Sequence, residues 1–285
     1  METDSTGEQM IASFSGPVEF NPVFVPRRGL TRVVFDFDGT LSWLRHGWPE
    51  MMYGVLRKHF KLAPNESDQA LHGRLLEDIL SLNGKPSIHQ IKRGIERMKE
   101  RGDAEPRPEE LLREYQDDLD ATIVQRTSQI ASGQCDADDF LVFGVRNLLN
   151  ELRHRGLTLA ILSGTPEPKV KEEAQLLQIS DYFGRHIYGS TDASFSKRGV
   201  LDRLLAEEEI PGESLLSFGD GPVEIQHTKE LGGLAVGVAS DENVNGSGKF
   251  DAEKRKVLLA AGADLLIPDY RDTAALLDSL FPKVK

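Results

Sequence analysis

Hydrophobic residues change their rhythm twice along this chain of 285 residues. Residues 33–37, Val-Val-Phe-Asp-Phe, are a short β-branched and aromatic run that stops at Asp38-Gly39, which predicts a buried strand ending in a turn. From Trp48 to Ile130 the spacing turns helical: Leu71, Leu75, Ile79, Leu82; then Ile88, Ile91, Ile95, Met98; then Leu111, Tyr115, Leu119, Ile123. Breaks at Asn83-Gly84 with Pro86, and again from Gly102 to Pro108, divide this stretch into roughly four helices. Past Phe143 the pattern becomes strand then helix, with strands predicted at 157–162, 215–218, 234–238 and 264–267.

That alternation predicts an α/β fold with a parallel sheet covered on both faces. Because the first strand precedes the helical block, the block reads as an insertion into the α/β core. The boundaries expected are a core of residues 29–44 and 140–285 and a helical domain of residues 45–139. Residues 1–28, with Pro17, Pro22 and Pro26, read as an extended or poorly ordered lead-in.

Composition narrows the partners. The chain has 34 Lys and Arg against 46 Asp and Glu, a formal net charge of −12, so it offers no basic footprint for a phosphate backbone and argues against nucleic acid. A single cysteine, Cys135, makes neither an internal disulfide nor a thiolate cluster, which suits a reducing compartment and points to the cytoplasm. No apolar run reaches the roughly 18–20 residues of a spanning helix, and residues 1–9 hold three acids and no base, unlike a secretory signal. No membrane partner is expected, and nothing in the sequence sets the oligomeric state. The seven histidines show no metal spacing, and Asn65-Glu66-Ser67 is a glycosylation sequon without a secretory context.

In open α/β sheets ligands bind beyond the carboxyl ends of the strands. The residues predicted there are Asp36-Phe37-Asp38-Gly39-Thr40, Ser163-Gly164-Thr165 and Gly219-Asp220-Gly221, with Glu224 one helical turn later. Asp36 and Asp38 are two apart, and an extended strand would turn both to one side. Paired carboxylates suit either an acid and a nucleophile or a hard metal ion, and both uses can coexist. Each motif alone also serves structure: Asp-Gly is turn chemistry, Glu224 complements a helix N-terminus, and Ser163 or Thr165 could cap a helix opened by Pro166. Lys197 and Arg198 precede a helix expected at residues 200–206, where positive charge opposes the helix dipole.

Taken together, Asp36 to Leu41, Ser163 to Thr165, Lys197 and Gly219 to Glu224 resemble, in order, the four motifs of the haloacid dehalogenase superfamily of phosphohydrolases. The resemblance implies a Rossmann-like, doubly wound core with an inserted all-helical type 1 cap. It implies that Asp36 is the nucleophile, forming an aspartyl phosphate, and that Asp38 serves as acid and then base. It implies Mg²⁺ held by Asp36, the Asp38 carbonyl, Asp220 and Glu224, with Ser163, the Gly164 amide and Lys197 holding the phosphoryl oxygens. Thr40 and Thr165 complete the expected phosphate site. Arg45 and His46, just after the first strand, are expected to contact the substrate, a small phosphorylated metabolite such as a sugar phosphate or small organic acid phosphate. The sequence departs from the family in having Glu224 where Asp is frequent, and Arg198-Gly199-Val200 lacks the proline-rich continuation of the phosphoglycolate phosphatase branch.

Other readings use the same residues. A phosphomutase shares the machinery, and a phosphonatase would add a lysine such as Lys58, Lys61, Lys85 or Lys92. A phospho-accepting signalling receiver combines similar strand-end acids, but runs to only about 120 residues without a large insertion. Asn245-Gly246-Ser247-Gly248-Lys249 imitates the end of a phosphate loop, but Asn243 and Phe250 replace its first glycine and its Ser/Thr, so it reads as a flexible loop.

Overall fold

The computed structural model describes residues 18–83, 85–192 and 194–281. The chain divides into two compact units, one of the residues up to Trp43 with those from Asp136 onward, the other Leu44–Cys135.

The first unit is a seven-stranded sheet: β1 (Glu19–Phe20), β2 (Arg32–Phe35), β3 (Thr158–Pro166), β4 (Ile187–Ser190), β5 (Leu215–Gly219), β6 (Leu234–Val238) and β7 (Leu265–Ile267). Their spatial order is β1-β7-β6-β5-β2-β3-β4. Strands β2 to β7 are parallel, and β1 is antiparallel to β7. Counting only the parallel strands gives the doubly wound order 3-2-1-4-5-6, whose reversal falls between β2 and β5. Strands β2, β5, β6 and β7 are buried along their whole length, as expected of a parallel sheet covered on both faces.

Several boundaries differ from expectation for local reasons. Strand β2 ends at Phe35, because the Phe37 carbonyl accepts from the amides of Leu41 and Ser42 and folds the chain back. Strand β4 was not legible, since Ile187–Ser190 alternates buried and half-buried positions at the sheet edge and carries a glycine. The lead-in does not stay apart from the fold. Residues 1–17 lie outside the described residues, but Glu19–Phe20 pairs with Leu265 and Leu266, and Arg255 clamps Glu19 at 2.6 Å. The segment 245–249, expected as a flexible loop, is pinned at its start: Asn245 Nδ2 donates to the Leu141 carbonyl at 2.7 Å, and the Phe143 amide donates to Asn245 Oδ1 at 3.0 Å.

The insertion begins and ends beside a clasp. The Trp43 amide donates to the Phe140 carbonyl at 2.8 Å and that of Val142 to the Leu41 carbonyl at 2.9 Å. These bonds draw Ala137–Phe140 into the α/β unit, so the helical unit stops at Cys135 and not at residue 139.

The helical unit contains α1 (Trp48–Arg57), α2 (Asp68–Ser81), α3 (Ile88–Arg101) and α4 (Pro108–Ala131); the α/β unit continues with α5 (Val145–His154), α6 (Glu167–Leu176), α7 (Ser180–Phe183), α8 (Lys197–Glu207), α9 (Pro222–Glu230) and α10 (Ala252–Ala260). The Ser67 hydroxyl caps α2 by accepting from the Ala70 amide, and Pro108 opens α4 at a position where its missing N–H costs nothing. Leu71, Leu75, Ile79, Ile91, Met98, Leu111 and Tyr115 face one core with Met52, Val55 and Leu56. Burying a side chain of this size stabilises by about 1.5–3 kcal/mol, which is what the helical periodicity encodes. Gly94 lets α3 approach α1, since a Cβ there would lie 2.6 Å from Leu56 Cδ2.

Candidate active site

The carboxyl ends of β2 and β5 flank the point where strand order reverses, and each delivers an acid. Asp36 follows β2 directly, held in line by its amide, which donates to the Phe218 carbonyl at 2.9 Å. Asp220 follows β5. Glu224 lies in the first turn of α9 (Pro222–Glu230), opened by Pro222. Lys197 is the first residue of α8 (Lys197–Glu207); the Ser196 side chain caps that helix by accepting from the Gly199 amide at 3.0 Å. The helix thus starts at Lys197, earlier than residue 200, because Ser196 supplies the cap that offsets two cations in the first turn. All four side chains are buried.

Lys197 Nζ stands 2.9 Å from Asp36 Oδ2 and also contacts Glu224 Oε1. Burial pushes the Asp36 carboxyl well above the usual range; the Lys197 ammonium opposes that rise, while Glu224 and Asp220 add to it. Burial also raises Asp220, to about 6, against the pull of Lys254. In Glu224 burial pushes the same way, but the adjoining ammonium of Lys197 wins and the carboxylate stays below its ordinary value. Lys197 keeps its proton despite burial, because Asp36 and Glu224 outweigh the desolvation. The pocket is therefore acidic and partly neutralised.

Asp38 is not turned to the same side as Asp36 by an extended strand, since the chain has already left the sheet. Its Oδ2 accepts instead from the Thr165 hydroxyl at 2.9 Å. Ser163 and Thr165 do not cap the following helix; Ser163 Oγ accepts from the Thr165 amide at 3.1 Å, and β3 runs on through Pro166 with a register shift after Leu162. Ser163 and Gly164 thus lie in the last residues of the strand beside β2. Thr40 is fully buried, its carbonyl accepting from the Tyr270 hydroxyl at 3.0 Å. Arg45 and His46 belong to the helical unit, where Arg126 Nη2 lies 3.0 Å from His46 Nε2 and Arg126 Nη1 donates to the Leu44 and His46 carbonyls.

Among the described residues, no three His, Cys, Asp or Glu side chains converge on a metal position. Glu224 is turned to Lys197, and the Asp38 side chain to Thr165. The donor chemistry nevertheless suits Mg²⁺. Asp36 and Asp220 are buried hard oxygen donors at the carboxyl ends of β2 and β5, and Mg²⁺ typically takes one or two carboxylates together with substrate phosphate and water. Among the described residues, Glu224 Oε2 has no hydrogen-bond partner, and neither do Ser217 Oγ, His227 Nδ1 and Thr228 Oγ1. These four residues line one small cavity with Asp36 and Lys197.

Sequence reasoning missed Tyr270 and Lys254. Tyr270, fully buried, ties the segment after β7 to Thr40. Lys254 lies in Lys254-Arg255-Lys256, a run that reads as a solvated helix face, yet it is buried against Asp220.

A haloacid dehalogenase-like hydrolase family model matches residues 31–232, which take in all four motifs. The chain is a haloacid dehalogenase-like hydrolase. No curated protein matches it by sequence. Among solved structures, a conserved haloacid dehalogenase-like protein of unknown function from Agrobacterium tumefaciens aligns with TM-score 0.62 at 17% identity, covering 88% of this chain and 99% of that one. A predicted phosphoglycolate phosphatase from Haemophilus somnus gives 0.58 at 15% identity, over 87% and 98%. A hydrolase of the family from Deinococcus radiodurans, with bound phosphate and sodium, gives 0.57 at 14% identity, over 90% and 100%. At these identities the likeness is one of fold.

Proposed function

We propose that this hydrolase is a Mg²⁺-dependent phosphatase that cleaves a small phosphorylated metabolite. The observation that carries the reading is the pairing of Asp36 with Lys197 at the β2 carboxyl end, next to Asp38 held by Thr165. An Asp36 oxygen attacks phosphorus, the P–O bond to the alcohol breaks, and Asp38 gives its proton to the leaving oxygen. Asp38, now ionised, takes a proton from water; the water oxygen attacks the aspartyl phosphate, releasing inorganic phosphate and restoring Asp36. Lys197, Ser163 and the Gly164 amide hold the phosphoryl oxygens, the positioning and charge stabilisation on which phosphoryl transfer depends. Mg²⁺, held by Asp36, Asp220 and the Asp38 carbonyl, would screen the repulsion between carboxylate and phosphate.

The test is inorganic phosphate release from a panel of phosphorylated metabolites and phosphopeptides with Mg²⁺, run beside Asp36→Asn. Metal-dependent release from small esters, abolished in a folded Asp36→Asn protein, is expected. Isomerised sugar phosphate in place of free phosphate would make the enzyme a mutase, and activity confined to phosphopeptides would overturn the substrate class.

A further inference from the structure

Helix α10 (Ala252–Ala260) carries a cation that none of the four motifs uses. Lys254 is 2% exposed, and its ammonium stands 3.2 Å from Asp220 Oδ2, 3.3 Å from Ser240 Oγ and in contact with Glu242 Oε1. An ammonium has three protons to donate, and three acceptors surround this one. Ser240 passes the link on, donating to the Gly39 carbonyl at 3.1 Å. Gly39 belongs to the loop of Asp36 and Asp38, and the Asp220 carboxylate lies against it so closely that a Cβ on Gly39 would stand 2.2 Å from Asp220 Oδ2. Lys254 thus joins the end of β5, the segment after β6 and the loop after β2.

Burying an ammonium is costly unless its partners are well placed, and an apolar side chain would fill the same space without that cost. Packing therefore does not account for a lysine here, whereas its three bonds aim one acid and brace the loop that holds two more. We propose that Lys254 is the positioning residue of the acidic site: it fixes the Asp220 carboxylate for a divalent cation, while Glu242 neutralises its charge so that it orients Asp220 without repelling the cation. The inference rests on the phosphatase reading and assigns Lys254 and Glu242 a part in cation binding.

The test is Mn²⁺ binding to the full chain without substrate, followed by electron paramagnetic resonance of the free ion, for wild type, Lys254→Met, Glu242→Gln and Ser240→Ala. Loss of a partner that orients a metal ligand typically weakens binding by about 10–100-fold, and Lys254→Met is expected in that range. Its half-saturating Mg²⁺ concentration should rise in step, with kcat at saturating metal changed far less. Folded Lys254→Met that binds Mn²⁺ as tightly as wild type, or more tightly, overturns the inference. Should that variant not fold, Glu242→Gln and Ser240→Ala decide: each should bind more weakly, and unchanged affinity in both overturns it. Wild type that binds no Mn²⁺ and releases no phosphate would remove the phosphatase reading, and this inference with it, an outcome distinct from equal binding by wild type and variant.

Discussion

The Thr165 hydroxyl donates to Asp38 Oδ2 across 2.9 Å, joining residues 127 positions apart in sequence. The bond orients the carboxyl group from the neighbouring strand, and orientation of this kind is a kinetic matter more than one of affinity. Thr165→Val, which keeps the shape and removes the donor, should lower kcat by about tenfold and leave KM within about twofold. Thr165→Ser should recover most of the loss. Steady-state kinetics at saturating Mg²⁺ checks this.

Lys197 serves two buried carboxylates, so its removal leaves both without their cation. Breaking a buried pair from one side costs about 3–5 kcal/mol, and Lys197→Met should lose stability on that scale together with activity. Adding Glu224→Gln removes one of the stranded charges. The double variant should therefore be more stable in urea than Lys197→Met alone, and equal or lower stability would argue against the coupling.

Gly39 adopts φ +72°, a left-handed conformation, with the Asp220 carboxylate pressed against it. Gly39→Ala meets both constraints at once: backbone strain of about 1–3 kcal/mol and a clash that displaces either the loop or the acid. We expect kcat/KM to fall by about a hundredfold or more, the penalty of misplacing reacting groups by about 1 Å. A crystal structure of the variant should show Asp220 or residues 36–40 moved.

His186 has its pKa lowered, first by burial and then by the positive charges of Arg32 and Arg185. The unfolded chain, titrating near 6.5, takes up this proton before the folded protein does. The contribution to stability is therefore complete above about pH 6.5 and is lost as the pH falls below it. Chemical denaturation of wild type and His186→Gln at pH 7 and at pH 5 checks the sign. The loss of stability on acidification should be smaller in the variant.

The helical unit was legible because a core stripe repeating every three or four residues is a local property of the chain. Leu71, Leu75 and Ile79, or Leu111 and Tyr115, name their own buried face. The inner strands were legible for a related reason, since 215–218 and 234–238 are short apolar runs broken only by Ser217. Strands β1 and β4 escaped because short, half-buried edge strands depend on what the sheet offers them and carry little signal of their own.

The four motifs, their order and the placement of an all-helical insertion between the first and second were already set by the linear sequence, since chemistry and periodicity are written residue by residue. Which oxygen faces which cation was decided only by the folded sheet. Turn geometry after Phe35 took Asp38 out of the strand and set its Oδ2 against the Thr165 hydroxyl, Ser196 moved Lys197 into a helix that aims it at Asp36 and Glu224, and the packing of α10 buried Lys254 against Asp220. These pairings join residues from 27 to 161 positions apart along the chain. At such separations nothing local specifies a partner, and the energy of an ion pair depends on distance and burial, which exist only once the strands are side by side.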